Sequence, residues 1–399
     1  MKPALRTGHR LQLLQNGTSL FPAMVRVIDQ ARQLVHVETY IFEFAGDALQ
    51  VAEALERAAQ RGVVVRLVVD GVGTPGLPQA WQERFLAAGV QYQVYAPLGR
   101  LGLLIPSRWR RLHRKLCVVD GVWGFCGGIN LIDDLDDVAL GRLSAPRLDF
   151  SLQITGPLVA DMQDTMEQFW WRTQAVSNAR RREFRAAWEA LREALPPLDL
   201  PHDHHTQPPQ DAALLLRDNV RHRHDIERAY LKALGEARHE VVIANAYLIP
   251  GRKLRRAMAL AVARGVRVRL LLQGKYEYFF QYHAARPVHH WLLRAGVEIH
   301  EYAPSALHAK VAVVDNRWAT VGSTNLDPLS LLLAREANVV TTDRQFAHSL
   351  RNRLDQLMHE AGAPLSLAAL QQRPLMQRFL DRFAFGLMRA LLFVTGHRY

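Results

Sequence analysis

His113-Arg114-Lys115-Leu116-Cys117-Val118-Val119-Asp120, with Gly127-Gly128-Ile129-Asn130 behind it, is the stretch on which the fold turns. It occurs twice, because His308-Ala309-Lys310-Val311-Ala312-Val313-Val314-Asp315 is followed at the same distance by Gly322-Ser323-Thr324-Asn325. One H-x-K-x4-D match is weak evidence. Two matches, each trailed by G-x-x-N, mark a duplicated functional unit. The apolar run between Lys and Asp reads as a buried strand, in which side chains two apart share a face. His113 and Lys115 therefore point together, as do His308 and Lys310, while Asp120 and Asp315 turn to the opposite face as structural partners ranked below them.

Gly121-Val122 reads as a two-residue type II′ hairpin loop. That register sets Asp120 against Trp123, Asn130 against His113 and Gly128 against Lys115. In the second copy Asn316-Arg317 makes the turn, Asp315 faces Trp318 and Asn325 faces His308. An amide, an ammonium and an imidazole on one face, with Gly or Ser323 where bulk would intrude, form an anion pocket containing a nucleophile. Two such pockets would clamp one phosphodiester with fixed cations and amide donors. One imidazole attacks phosphorus while the other serves as acid and then base, and no metal or other cofactor is required.

These residues resemble the paired motifs of the phospholipase D superfamily. Within it, Ala319-Thr-Val-Gly-Ser-Thr-Asn-Leu-Asp-Pro-Leu-Ser330 and Ile243-Ala-Asn-Ala-Tyr-Leu-Ile-Pro-Gly251 resemble the shorter bacterial cardiolipin synthases, over about Leu11 to about Asp343. The resemblance implies phosphatidyl transfer between two phosphatidylglycerol molecules through a phosphohistidine, with His113 as nucleophile and His308 as acid then base, or the reverse. Lys115, Lys310, Asn130, Asn325 and Ser323 would bind phosphate oxygens. By the same resemblance, Asp149 and Glu336, each on an acidic strand after its motif, would orient an imidazole. Phospholipid hydrolysis and nucleic-acid cleavage use the same motifs and are the rival activities. A catalytically silent membrane scaffold is the rival outside enzymology.

The chain has 399 residues, enough for two domains, and carries 50 Lys and Arg against 38 acids, a net charge of +12. That balance favours a polyanionic partner. No stretch reads as a signal peptide or reaches 18 uninterrupted apolar residues, so the expected location is peripheral, on the cytoplasmic face of a bacterial membrane. Cys117 and Cys126 fall opposite one another in the hairpin register but are expected as reduced, packed thiols.

Around the motifs the chain alternates strand and helix. A strand Leu11 to Leu14, a turn at Asn16-Gly17, a helix Val25 to Leu34 and a strand Val35 to Phe42 precede a helix from Asp47 to Gln60 and the strand Val63 to Asp70. Residues 263–272 repeat 60–69, and 295–304 repeat 88–97. The expected fold is α/β: two fused phospholipase D-like repeats related by a pseudo-twofold axis, each a mixed sheet flanked by helices. The divisions are a first repeat over 1–195, a Pro- and His-rich linker over 196–210, a second repeat over 211–360 and an amphipathic segment over 361–399. His202, His204 and His205 read as a solvated linker tract rather than a metal site. A helix over about 178–195 would cover the sheet. Two segments mix apolar residues with Arg, at 98–111 and at 375–394. They suit an anionic lipid surface better than a nucleic-acid groove.

Overall fold

A computed structural model describes residues 5–99, 109–180, 210–219 and 221–394. The chain divides into two compact units, one formed by Pro3–Asp133 and Ser151–Leu214 and the other by Asp134–Phe150 and Leu215–Tyr399. The segment Asp134–Phe150, expected in the first repeat, thus belongs to the second unit. The 196–210 linker with its three histidines, and the helix expected over 178–195, lie outside the described residues apart from their ends.

In the first unit β1 (Arg6–Gln15) leads directly into α1 (Asn16–Asp29). Asn16 was expected in a turn; its φ of 64° supplies the left-handed step that starts the helix instead. The order continues β2 (Leu34–Thr39), α2 (Leu49–Gln60), β3 (Val64–Asp70), α3 (Gln79–Ala88), β4 (Gln91–Tyr95), β5 (Lys115–Val119) and β6 (Trp123–Gly127). Strands β2, β3 and β4 are parallel, as helical crossovers require, and β5 runs antiparallel to β2. Past β7 (Asp136–Asp137) and β8 (Gly141–Arg142), a short pair that belongs to the second unit, β9 (Phe150–Thr155) pairs with β6, and α4 (Leu158–Arg180) and β10 (Gln210–Arg217) follow. Val35, Val37, Val65, Leu67, Cys117 and Val119 bury one sheet face under α1, α2 and α3. Val68 and Leu112 pack on the other face with Phe169 and Trp170 of α4.

The second unit repeats this sequence of elements. It comprises α5 (Asp225–Glu236), β11 (Glu240–Asn245), α6 (Arg252–Ala263), β12 (Arg267–Gln273), α7 (Phe279–Arg294), β13 (Glu298–Tyr302), β14 (Lys310–Val314), β15 (Trp318–Gly322), α8 (Pro328–Leu332), β16 (Glu336–Thr341) and α9 (Arg344–Ala361). Again three parallel strands, β11 to β13, carry an antiparallel trio, β14 to β16. The helices α10 (Leu367–Gln371) and α11 (Leu375–Val394) come last, and α11 packs along α7. There Asp381 bonds His283 at 2.6 Å.

The motif hairpins differ from the expected register by one residue. Val119 pairs with Trp123 and Lys115 with Gly127, while Val314 pairs with Trp318 and Val311 with Val321. Each loop has three residues, because Asp120 (φ 51°) with Gly121 (φ 63°), and Asp315 with Asn316 (both 51°), form the left-handed centre of a type I′ turn closed by the next N–H. Cys117 therefore opposes Phe125 and Cys126 opposes Leu116, so the two thiols face opposite sides of the sheet. Burial pushes each up to about 12.

The turn also explains the motif aspartates. The Asp120 carboxylate accepts the N–H groups of Arg32, Gln33 and Leu34, and Asp315 those of Arg238, His239 and Glu240, at 2.8–2.9 Å. Both lie at the far end of the strand from the histidine, tying the entry of β2 or β11 to the hairpin. We therefore exclude them from the reacting groups. Burial raises the Asp315 pKa, but the three N–H donors outweigh it and hold the carboxyl below its ordinary value. Asp120→Ala and Asp315→Ala should each cost about 2 kcal/mol, as for hydrogen bonds to a charged acceptor. Urea unfolding midpoints test this, and a loss seen at only one of the two sites would refute the shared role. The Asp315 contribution is complete above the ordinary pKa of 3.8 and disappears as pH falls through the lowered value.

Candidate active site

In the second unit, Leu148 and the segment before β14 exchange backbone bonds: Leu148 N–H donates to Ala306 O, and His308 N–H to Leu148 O, both at 2.8 Å. This pairing sets Asp149 beside a histidine 159 residues away. Its Oδ2 lies 2.6 Å from His308 Nδ1, and the carboxylate is almost fully buried. With Nδ1–H given to Asp149, the imidazole lone pair falls on Nε2, and an imidazolium has a fixed countercharge. This carboxylate follows the first motif in sequence and contacts the histidine of the second.

Lys310 is fully buried behind the ring. Its Nζ lies 2.7 Å from His308 Nδ1 and 3.5 Å from Asp149 Oδ2, and it donates to the His308 carbonyl. Burial pushes this ammonium down to about 8, against the pull of Asp149 and Glu336. Ser323, expected on the phosphate, is fully buried, gives its hydroxyl to Glu336 Oε2 and accepts Ala337 N–H at 3.1 Å. Its hydroxyl is thus bonded to the Glu336 carboxylate. Gly322 before it is required by close packing: a Cβ there would fall 2.6 Å from Ala337 O. Asn325 is buried, and its Oδ1 has no hydrogen-bond partner among the described residues.

The first unit builds the same core with different neighbours. Lys115 Nζ donates to His113 O at 2.6 Å, repeating the Lys310 contact, and lies 5.4 Å from the Tyr40 ring. Tyr40 also meets the His113 ring edge-on at 5.1 Å. The run leading to His113 is held by buried Asp70, which accepts Leu112 N–H at 2.7 Å and pairs with Arg111 at 3.1 Å. Between His113 and Lys115, Arg114 turns the other way into a buried ion pair with Glu38. Asn130 is not opposite His113, because the ladder ends at Lys115–Gly127; its Oδ1 accepts Ile41 N–H at 3.2 Å.

Sequence reasoning missed Tyr40 and Asp70. Each sits at the C-terminal end of a buried parallel strand, the place where α/β sheets put functional side chains, and that position was the available signal. Among the described residues, no three or more His, Cys, Asp and Glu side chains gather as metal ligands would. Likewise, no described helix is long and apolar enough to cross a membrane.

Comparison with known proteins places this geometry. The family model described as "Cardiolipin synthase, PLD-like domain" matches residues 24–134 and 230–358. Cardiolipin synthase B of Escherichia coli K12 is 38% identical over 359 residues, covering 90% of this chain and 82% of that protein. Cardiolipin synthase A of Pseudomonas syringae is 32% identical, covering 88% of this chain and 69% of the relative. Among solved structures, phosphatidylserine synthase of Haemophilus influenzae superposes with a TM-score of 0.68 over 96% of this chain and 94% of its own. At 14% identity, that likeness is one of fold.

Proposed function

This chain belongs to the cardiolipin synthase family of phospholipase D-like proteins, and from that premise we propose that it joins two phosphatidylglycerol molecules into cardiolipin and glycerol. The observation that carries the reading is the His308–Asp149–Lys310 cluster together with the matching His113–Lys115 pair. In the first step His113 attacks phosphorus, a P–N bond forms, the P–O bond to glycerol breaks, and imidazolium His308 gives its Nε2 proton to the departing alkoxide. In the second step neutral His308 takes the proton of the accepting lipid's hydroxyl. That oxygen attacks phosphorus, and His113 leaves.

Asp149 stabilises the cation that His308 becomes. Lys115 and Lys310 place positive charge behind the imidazoles, and Asn130 and Asn325 remain the proposed amide contacts to phosphate. Asp149 is assigned the orienting role on His308, and Glu336, steadied by Ser323, the corresponding role in the first half-reaction. Mixed micelles of phosphatidylglycerol analysed by mass spectrometry test the activity. Cardiolipin with equimolar glycerol is the expected product; phosphatidate alone would make the protein a hydrolase.

The substrate is a lipid, and α11 supports docking at an anionic bilayer; the cytoplasmic face is the side we propose for it. One side of this helix buries Asp381, Ala384 and Met388, while Leu375, Met376, Phe379, Phe383 and Leu387 are exposed beside Arg378 and Arg382. Exposed aromatic and aliphatic side chains flanked by arginine match a headgroup boundary, whereas a nucleic-acid groove has no use for the apolar stripe. Of the other segment proposed for the membrane, residues 100–108 lie outside the described region. Phe379→Ser with Phe383→Ser should lower co-sedimentation with anionic vesicles roughly tenfold or more, the scale of losing two buried aromatic contacts. Unchanged binding would remove α11 from the docking surface.

A further inference from the structure

The second unit contains a small cleft of about 40 Å³, open to solvent, between α7 and the ends of β11 and β12. Its floor is continuous with the second motif. Asn245 pairs with Lys310 across the ladder, and Ala246 N–H donates to Ala309 O at 2.9 Å. One wall carries Glu277, whose carboxylate accepts hydrogen bonds from Tyr247 Oη and Gln273 Nε2.

The lining also includes Gln281, Arg286 and His289, and Gln281 Oε1, Arg286 Nε and both ring nitrogens of His289 have no hydrogen-bond partner among the described residues. His289 is only 5% exposed. Such groups are costly to bury unmatched, and all three residues belong to the lining of this one cleft.

The two units differ at this place. Gln273 pairs with Tyr302 as Asp70 pairs with Tyr95. In the first unit Asp70 is occupied by Arg111 and Leu112, whereas in the second Gln273 supports Glu277 and the cleft stays open. A chain that treats donor and acceptor lipids differently needs such an asymmetry.

The unmatched atoms define the ligand. Burial, with Arg286 alongside, pushes the His289 imidazole down to about 3, so at neutral pH the ring is uncharged, with one N–H donor and one acceptor. Gln281 Oε1 adds an acceptor. Hydroxyl groups both donate and accept and satisfy this set. An ammonium would leave the imidazole N–H unmatched, and a second phosphate would meet the Glu277 carboxylate.

We propose that this cleft is an acceptor subsite that binds the glycerol hydroxyls of the accepting lipid, through His289, Gln281 and Glu277. The assignment rests on the transferase reading above and adds the residues that choose the acceptor.

Free glycerol is the probe, with the full-length protein. In ligand-observed saturation-transfer NMR without lipid, glycerol should receive saturation from the wild type and lose it in His289→Ala. In micelles of phosphatidylglycerol supplied with deuterated glycerol and ethanol together, the ratio of glycerol to ethanol transfer should fall at least tenfold in His289→Ala and in Gln281→Ala. His289→Gln provides a milder variant, and circular dichroism verifies folding. An unchanged ratio, or saturation received by ethanolamine in preference to glycerol, would overturn the assignment. If the wild type binds glycerol through His289 but transfers to no acceptor, the diol site stands and the transferase reading fails.

Discussion

His308→Ala should lower cardiolipin synthesis by a factor on the order of 10²–10⁴, the range that a positioned acid–base group contributes, and His113→Ala should abolish it. The two losses differ in kind, and the difference assigns the roles. With a donor whose leaving group needs no protonation, such as a nitrophenyl phosphodiester, His308→Ala should still form the covalent phosphatidyl-enzyme and accumulate it, because deacylation-like release to an alcohol lacks its base. His113→Ala should form none. Acid-quenched samples analysed by mass spectrometry show which variant carries the adduct. An adduct in His113→Ala on His308 would reverse the assignment, and rapid synthesis by either folded variant would remove that histidine from the chemistry.

Asp149→Asn should lower kcat by roughly 10²–10⁴, as when the carboxylate behind a catalytic imidazole is replaced by its amide. The variant is nearly isosteric, so the loss reports charge and tautomer rather than packing. It also removes a negative charge close to Lys310. Burial already brings that ammonium to about 8 while Asp149 pulls it upward, so Asp149→Asn should move it lower and shift the alkaline limb of kcat to lower pH.

Stability gives a second reading with a defined sign. The folded Lys310 pKa of about 8 lies below its ordinary 10.5, so between these values the unfolded chain binds more protons and this group makes stability rise with pH. In Asp149→Asn that rise should begin at lower pH. A kcat within tenfold of wild type and an unmoved alkaline limb would sink the orienting role of Asp149.

Much of the architecture was legible in local patterns. The apolar runs of β2, β3, β11 and β12 separated by amphipathic helices specify parallel crossovers, and strands β11 to β16 answer β2 to β6 and β9. Local chemistry also marked the two hairpins, yet their register came out one residue long. Asp120-Gly121 and Asp315-Asn316 both accept left-handed backbone, which inserts a residue into the loop and takes Cys117 and Cys126 out of opposition. Gln273 and His289 came to line one cleft only when β12 and α7 were set side by side.

By itself, then, the sequence determined the duplication, the α/β class and the placing of a His and a Lys on one strand in each half, because periodicity and spacing are properties of neighbouring residues. Tertiary structure alone decided what surrounds those pairs. The motif aspartates were drawn to backbone N–H groups more than 70 residues away. Asp149 was carried to His308 by the backbone pairing of Leu148 with residues 306–308. Helix α11 packed one face on α7 and left Phe379 and Phe383 outside. In each case the partner lies far along the chain, and only the energetics of burying and pairing polar groups across the folded unit selects it.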